Sequence, residues 1–73
     1  MIPTARQCRA ARALLDVSRD WLAKRSGVSK RAVANFEAGK TIPIPNNLAA
    51  IRQALEEAGV EFLPDDGVKL RRQ

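Results

Sequence analysis

Arg19-Asp20-Trp21-Leu22-Ala23-Lys24-Arg25-Ser26-Gly27-Val28-Ser29-Lys30-Arg31-Ala32-Val33-Ala34-Asn35-Phe36-Glu37-Ala38-Gly39 is the stretch that decides the fold. Ser18, just before it, is a good N-cap, and Asp20 in the first turn suits the helix dipole. Leu22 and Ala23 supply the buried side of this helix, and Gly27 ends it where a left-handed residue costs least. Ser29 then caps a second short helix. Val28 before the cap and Val33 at the fourth helical position form a hydrophobic staple, which sets the angle at which the chain enters the helix. Val33 and Phe36 face inward three residues apart, and Gly39 is a C-terminal stop. Ala23 is small enough to let the two helices cross closely. The stretch therefore reads as two helices of about eight residues each, joined at a sharp turn.

Working outward, Thr4 and Gln7 have the spacing of a capping box, followed by Cys8, Ala11 and Leu15 on one face of a first helix that runs to about Leu15. After Gly39, Lys40-Thr41-Ile42-Pro43-Ile44-Pro45 is a stiff extended connector, because each Pro restricts itself and its predecessor. A fourth helix begins near Pro45 or Asn46, carries Leu48, Ile51, Leu55 and Ala58 on its apolar stripe, and stops at Gly59. The period then changes. Val60 and Phe62 alternate with Glu61, Pro64-Asp65-Asp66-Gly67 is a turn, and Val68-Lys69-Leu70 alternates again, which predicts a short β-hairpin. Such a hairpin is marginal alone and must pack on the helices or join another chain's sheet. Arg71-Arg72-Gln73 is expected to be a frayed tail.

The 73 residues make one small domain, 45% hydrophobic and 29% charged, an ordinary globular balance. With no His, no Tyr and the single Cys8, a disulfide framework, a Cys/His zinc site and His-based acid/base chemistry are excluded within one chain. No phosphate-cradling Gly loop is present either, so no enzyme activity, cofactor or metal is expected. Cys8, at helical spacing with Ala11 and Leu15, reads as a small buried apolar residue. The longest apolar run is four residues, Leu48 to Ile51, and the N-terminus lacks the apolar stretch of a signal peptide. A cytoplasmic protein without membrane association is expected.

Charge is the first positive clue to a partner. Thirteen Lys/Arg against eight Asp/Glu give a net +5. Residues 1–40 hold nine of the bases and three of the acids, whereas residues 41–73 hold four and five. The basic block favours an anionic partner, nucleic acid ahead of a membrane because no strongly amphipathic basic helix is evident.

Over residues 4–58 the sequence resembles the helix-turn-helix family of phage repressors and Cro proteins, the XRE or lambda-repressor-like family. Leu22-Ala23, Gly27-Val28-Ser29, Val33 and Phe36-Glu37-x-Gly39 carry the resemblance together, although each piece alone is common in helical hairpins. It implies a compact four- to five-helix domain whose third helix lies in the major groove of double-stranded DNA; with the elements read above, the expected fold is mainly α, a compact four-helix domain with a short C-terminal β-hairpin or strand. At about 100° per residue, Arg31 and Asn35 point away from Val33 and Phe36, with Ala34 and Lys30 beside them. Arg or Lys suits guanine O6/N7 and Asn suits adenine N6/N7, so Arg31 and Asn35 are the leading base readers and Lys30 the next. A lone exposed Arg or Asn is more often simply solvated; the surrounding motif is what raises these three.

Phosphate contacts are expected from Arg19, Ser29 and Lys40. Arg19 follows the Ser18 cap, where free N–H groups already favour an anion, and the resemblance points to the same role. Lys24, Arg6 and Arg9 are weaker candidates. Arg12 and Glu37 each lie about 40° from an apolar position on their helices, and the resemblance implies that they pair in a structural salt bridge between the first and third helices. Trp21 departs from the family pattern, which usually has a polar residue there. Its ring is expected to cover the apolar edge of the fourth helix or the hairpin, with a protein-partner surface as the alternative.

Residues 1–59 are accordingly read as the DNA-binding unit and residues 60–73 as a hairpin and tail of the same domain. The expected function is sequence-specific binding of an operator as a homodimer, because one short helix reads too few base pairs for a unique site. The region Val60–Leu70 is the candidate dimerisation element. The alternative is an antitoxin-type or other protein-interaction module in which DNA binding is secondary.

Overall fold

The computed structural model describes residues 2–71. Four helices come first, α1 (Ala5–Leu15), α2 (Arg19–Ser26), α3 (Lys30–Glu37) and α4 (Pro45–Glu57), followed by an antiparallel hairpin of β1 (Val60–Leu63) and β2 (Gly67–Leu70). The expected mainly α, four-helix architecture with a C-terminal hairpin is what forms. Helix α2 packs on α3 and α4, and α1 packs on α3 and the hairpin.

The helix boundaries follow from their caps. Ser18 and Ser29 accept hydrogen bonds from the backbone N–H groups of Trp21 and Ala32. Pro45 opens α4 without a side-chain cap, its missing N–H being one that the first turn leaves unpaired anyway. Helix α3 closes in a Schellman motif: Gly39 donates to the Phe36 carbonyl and Lys40 to that of Asn35, with Gly39 at φ +76°. Helix α1 ends on Asp16, left-handed at φ 59°, a position for which Asp is one of the few tolerable non-glycine residues.

Cys8, Ala11, Leu22, Val28, Val33, Phe36, Ile51, Ala54, Leu55 and Val60 form the buried core, drawn from every helix, the α2–α3 turn and the first strand. On α4 the buried set is Ile51, Ala54 and Leu55, with Leu48 packed against it. Ala58, expected on the stripe, is instead the half-buried C-cap, because the helix stops one turn after Ala54 takes the inward place.

Hairpin strands pair with each other, Val60 opposite Leu70 and Phe62 opposite Val68. Phe62 and Val68 lean on the core, while Glu61 and Lys69 face away with their charged ends 3.9 Å apart. Asp65 and Asp66 are both left-handed and Gly67 donates to the Pro64 carbonyl, the geometry of a type I′ turn. At Gly67 a Cβ would fall 2.9 Å from that of Leu63, so only glycine fits.

What fastens this hairpin to the helices is Gln7. Its backbone N–H donates to Thr4 Oγ1 and its Oε1 accepts from the Thr4 N–H, the capping box the sequence announces. Its Nε2 then donates to two carbonyls across the chain, Leu63 and Gly67, each at 2.9 Å. The side chain is 1% exposed. Every polar atom of the amide is therefore used, and the Thr4 hydroxyl adds a 2.7 Å hydrogen bond to Asp66 in the turn. Replacing Gln7 by Leu keeps the volume but strands the two carbonyls; urea unfolding should show a loss of roughly 1–3 kcal/mol. An unchanged midpoint would mean that the hairpin is held by apolar packing alone.

Candidate nucleic-acid interface

Helices α2 and α3 are joined by a turn whose geometry comes from three residues. Gly27 is left-handed at φ +75° and its N–H donates to the Ala23 carbonyl. Nothing lies within 4 Å of a Cβ placed there, so the backbone angle and not space demands glycine. Ser26 Oγ donates to the Leu22 carbonyl and accepts from the Val28 N–H, bracing the last turn of α2 against the connection. Val28, 4% exposed, plugs the turn into the core.

With Val33, Phe36 and Glu37 turned inward, α3 presents Lys30 and Arg31 fully outward and Ala34 and Asn35 at half exposure. Arg31 and Asn35 are one turn apart and share a face, with the small Ala34 beside them. Lys30 sits differently. Its Nζ lies 3.0 Å from Asp20 Oδ1 on α2, an exposed pair that adds little stability but neutralises part of its charge. Arg19, Ser29 and Lys40 are exposed around this face, at the start of α2, the cap of α3 and just past the end of α3. The Ser29 oxygen is taken by the cap, which leaves its hydroxyl proton free to donate.

Arg19, Lys24, Arg25, Arg31 and Lys40 are engaged by neither a carboxylate nor a backbone carbonyl among the described residues, whereas the other described bases are. Arg6 lies 3.8 Å from Asp66, Arg52 pairs with Glu56, and Lys69 pairs with Glu61. Arg9, a weaker phosphate candidate from sequence, donates through Nη1 to the backbone carbonyl of Glu37 and so serves the end of α3. Trp21 is half-buried against the core with the Arg25 guanidinium 5.1 Å from its ring centroid, a cation–π stack.

Arg12 and Glu37 meet in a two-pronged contact, Nε to Oε2 and Nη2 to Oε1, both at 2.7 Å. The Glu37 side chain is 3% exposed and that of Arg12 20%. Arg12 Nη1 also donates to the Val17 carbonyl, and the Cys8 thiol donates to Glu37 Oε2 at 3.2 Å. Donating to the Glu37 carboxylate holds the pKa of the Arg12 guanidinium above its ordinary range. Burial pushes the Cys8 thiol far up, and the negative charge of Glu37 pushes it further. The thiol contact was not foreseen, since the helical spacing that marks Cys8 as buried is silent about what its sulfur touches.

A family model described as helix-turn-helix matches residues 9–62. The chain belongs to the XRE-type, Cro/C1-like helix-turn-helix family. It is therefore a DNA-binding regulatory domain, of a family that is not typically enzymatic. Thr4, Gln7 and all of β2 lie outside the matched residues, so the Gln7 clamp joins two segments beyond the family's common part. Comparison with curated proteins gives no match. Among the described residues, no helix is long and apolar enough to cross a membrane.

Removing one member of the Arg12–Glu37 pair leaves the other charge without its partner. Arg12→Met or Glu37→Leu alone should cost about 3–5 kcal/mol, and the double variant much less than their sum. Additive losses in a double-mutant cycle would show that the two charges act independently. The thiol has a separate signature. Above its ordinary value of 9.0 the unfolded thiol ionises while the folded one stays protonated, so stability is present below that pH and is lost as pH rises. Between about pH 8 and pH 10 the wild type should lose about 1 kcal/mol more than Cys8→Ala. Parallel stability curves would contradict this.

Proposed function

We propose that the protein regulates transcription by occupying an operator, with α3 in the major groove of double-stranded DNA. Arg31 and Asn35 read base edges, and Lys30 is the third reader once its hold on Asp20 is exchanged for DNA. Arg19, Ser29 and Lys40 hold phosphates on either side. The observation that carries the reading is the division of charge: the cations engaged by neither a carboxylate nor a backbone carbonyl among the described residues cluster on and around α2 and α3, while Glu56, Glu61 and Asp66 of the second half lie against other bases. A surface kept cationic in this way concentrates a polyanion, and the Arg31–Asn35 pair has donors and acceptors complementary to the major-groove edges of guanine and adenine.

We further read residues 1–59 as the DNA-binding unit, extended by the hairpin of residues 60–73, and the active form as a two-fold dimer on half-sites about one helical turn apart. One eight-residue helix touches too few base pairs to single out a site by itself.

Fluorescence anisotropy on random and genomic duplexes across a salt series tests this. Arg31→Ala and Asn35→Ala should each lose about 1–3 kcal/mol on the tightest sequences while leaving weak, general binding in place. Arg19→Ala and Lys40→Ala should weaken all sequences alike and lower the salt slope by about 1 each. Absence of binding at low salt, or variants at Arg31 and Asn35 that keep the sequence preference, would overturn the reading.

A further inference from the structure

Asp20 stands out on a face that is otherwise cationic. From Val17 to Leu55 the chain holds two acids, Asp20 and Glu37, and Glu37 is buried. The Asp20 side chain is 61% exposed, the one exposed carboxylate in the segment that carries Arg19, Lys24, Arg25, Arg31 and Lys40. An acid in the first turn suits the dipole of α2, but the dipole asks nothing of where the carboxylate reaches. Here it reaches α3: Oδ1 lies 3.0 Å from Nζ of Lys30, the first residue of that helix. A carboxylate on this face repels the phosphates that approach it, so it weakens binding to all DNA except where a sequence offers it a hydrogen-bond donor. Such donors are few. The DNA backbone has none, and in the major groove only cytosine N4 and adenine N6 present an N–H.

The same constraint holds from the side of the lysine. Lys30 and Asp20 neutralise each other in the free protein, and a Lys30 that turns to a base acceptor leaves the carboxylate without its partner. A base pair that accepts from the one and donates to the other takes both. In a G·C pair the guanine O6 acceptor and the cytosine N4 donor are bonded to each other and so lie about 2.9 Å apart. Nζ and Oδ1 lie 3.0 Å apart. Set edge-on against the pair, the ammonium meets O6, and the carboxylate meets the N4 hydrogen that Watson–Crick pairing leaves free. An A·T pair has a similar spacing, O4 beside N6, but gives the ammonium one acceptor with the thymine methyl next to it, where guanine adds N7.

We propose that Asp20 is a specificity-determining residue: with Lys30 it reads one G·C pair, the lysine at guanine O6 and N7 and the aspartate at cytosine N4. The inference rests on the DNA reading above and deepens it, since that reading gives Asp20 no base to recognise. Over other base pairs the two charges stay with each other, and the face has one free cation fewer for the phosphates. The carboxylate thus costs affinity on most sequences and little at its own base pair, which widens the gap between an operator and random DNA.

Selection of bound duplexes from a random pool, followed by anisotropy on the selected site with single modified bases, is the test. The wild type should select G·C at a position whose preference is lost in Lys30→Ala. N4-methylcytosine placed there removes the free N4 hydrogen and should weaken the wild type about tenfold while leaving Asp20→Ala unchanged. 7-Deazaguanine on the opposite strand removes N7 and should weaken the wild type and Asp20→Ala alike, but not Lys30→Ala. Asp20→Ala should bind random duplexes at least as tightly as the wild type, which shows that it is folded. Selection of A·T at the Lys30-dependent position, a wild type indifferent to N4-methylcytosine, or equal sensitivity in Asp20→Ala would each overturn the proposal. Selective binding whose preferences are the same in Asp20→Ala defeats this inference alone, whereas absence of DNA binding defeats the reading beneath it as well.

Discussion

The placement of α3 depends on one buried carboxylate. Glu37 ends α3 and is 3% exposed, and its charge is tolerable there only because Arg12 meets it with two parallel hydrogen bonds. Arg9 takes the backbone carbonyl of the same residue, and the Cys8 thiol takes one carboxylate oxygen. Donors from little more than one turn of α1 thus converge on a single residue. An apolar pair of similar volume would match the ion pair in stability, for burying both charges costs about as much as their attraction returns. What an apolar pair lacks is direction. The planar guanidinium accepts a carboxylate in one orientation, so α3 is fixed in rotation as well as in position.

This arrangement also accounts for how charge is distributed. Of the arginines on α1, Arg9 and Arg12 are spent on Glu37, and Arg6 lies near Asp66 in the hairpin turn. Their positive charge contributes to the net +5 but not to a free cationic surface beside α3. The cations engaged by neither a carboxylate nor a backbone carbonyl among the described residues, Arg19, Lys24, Arg25, Arg31 and Lys40, lie on α2, on α3 or just past it. At physiological ionic strength charges act over about 8 Å, so it is this local cluster and not the net charge that a phosphate backbone meets.

Most of the fold was legible because its signals are local. Ser18, Ser29, Gly27 and Gly39 mark helix ends through backbone chemistry that operates within four residues, and the Asp65-Asp66-Gly67 turn does likewise. The outward position of Arg31 and Asn35 follows from helical period alone, as does the inward one of Val33 and Phe36. What stayed hidden is long in range. Gln7 reads as the third residue of a capping box, and nothing in its neighbourhood tells that its amide also bonds Leu63 and Gly67, 56 and 60 residues away. Arg9 looks like a free surface cation for the same reason, and Ala54 displaces Ala58 from the core because the helix stops where the hairpin begins. Side chains that do two jobs show only the local one in a sequence.

An eight-residue helix is far below the length at which a helix holds itself together in water. The rigidity of α3 is therefore borrowed from its two ends. At the N-terminus the Ser29 cap and the Ser26 brace on Val28 hold it; at the C-terminus the Schellman motif and the α1 donors around Glu37 do. A helix so pinned meets its ligand without first being ordered, and the entropy that ordering would cost is saved at binding. The outward side chains of Lys30, Arg31 and Asn35 can then vary without loss of the fold, because the Lys30–Asp20 pair is exposed and adds little, and none of the three belongs to the packed core. The separation is physical: the ends of α3 carry its stability, and its outer face is left free for recognition.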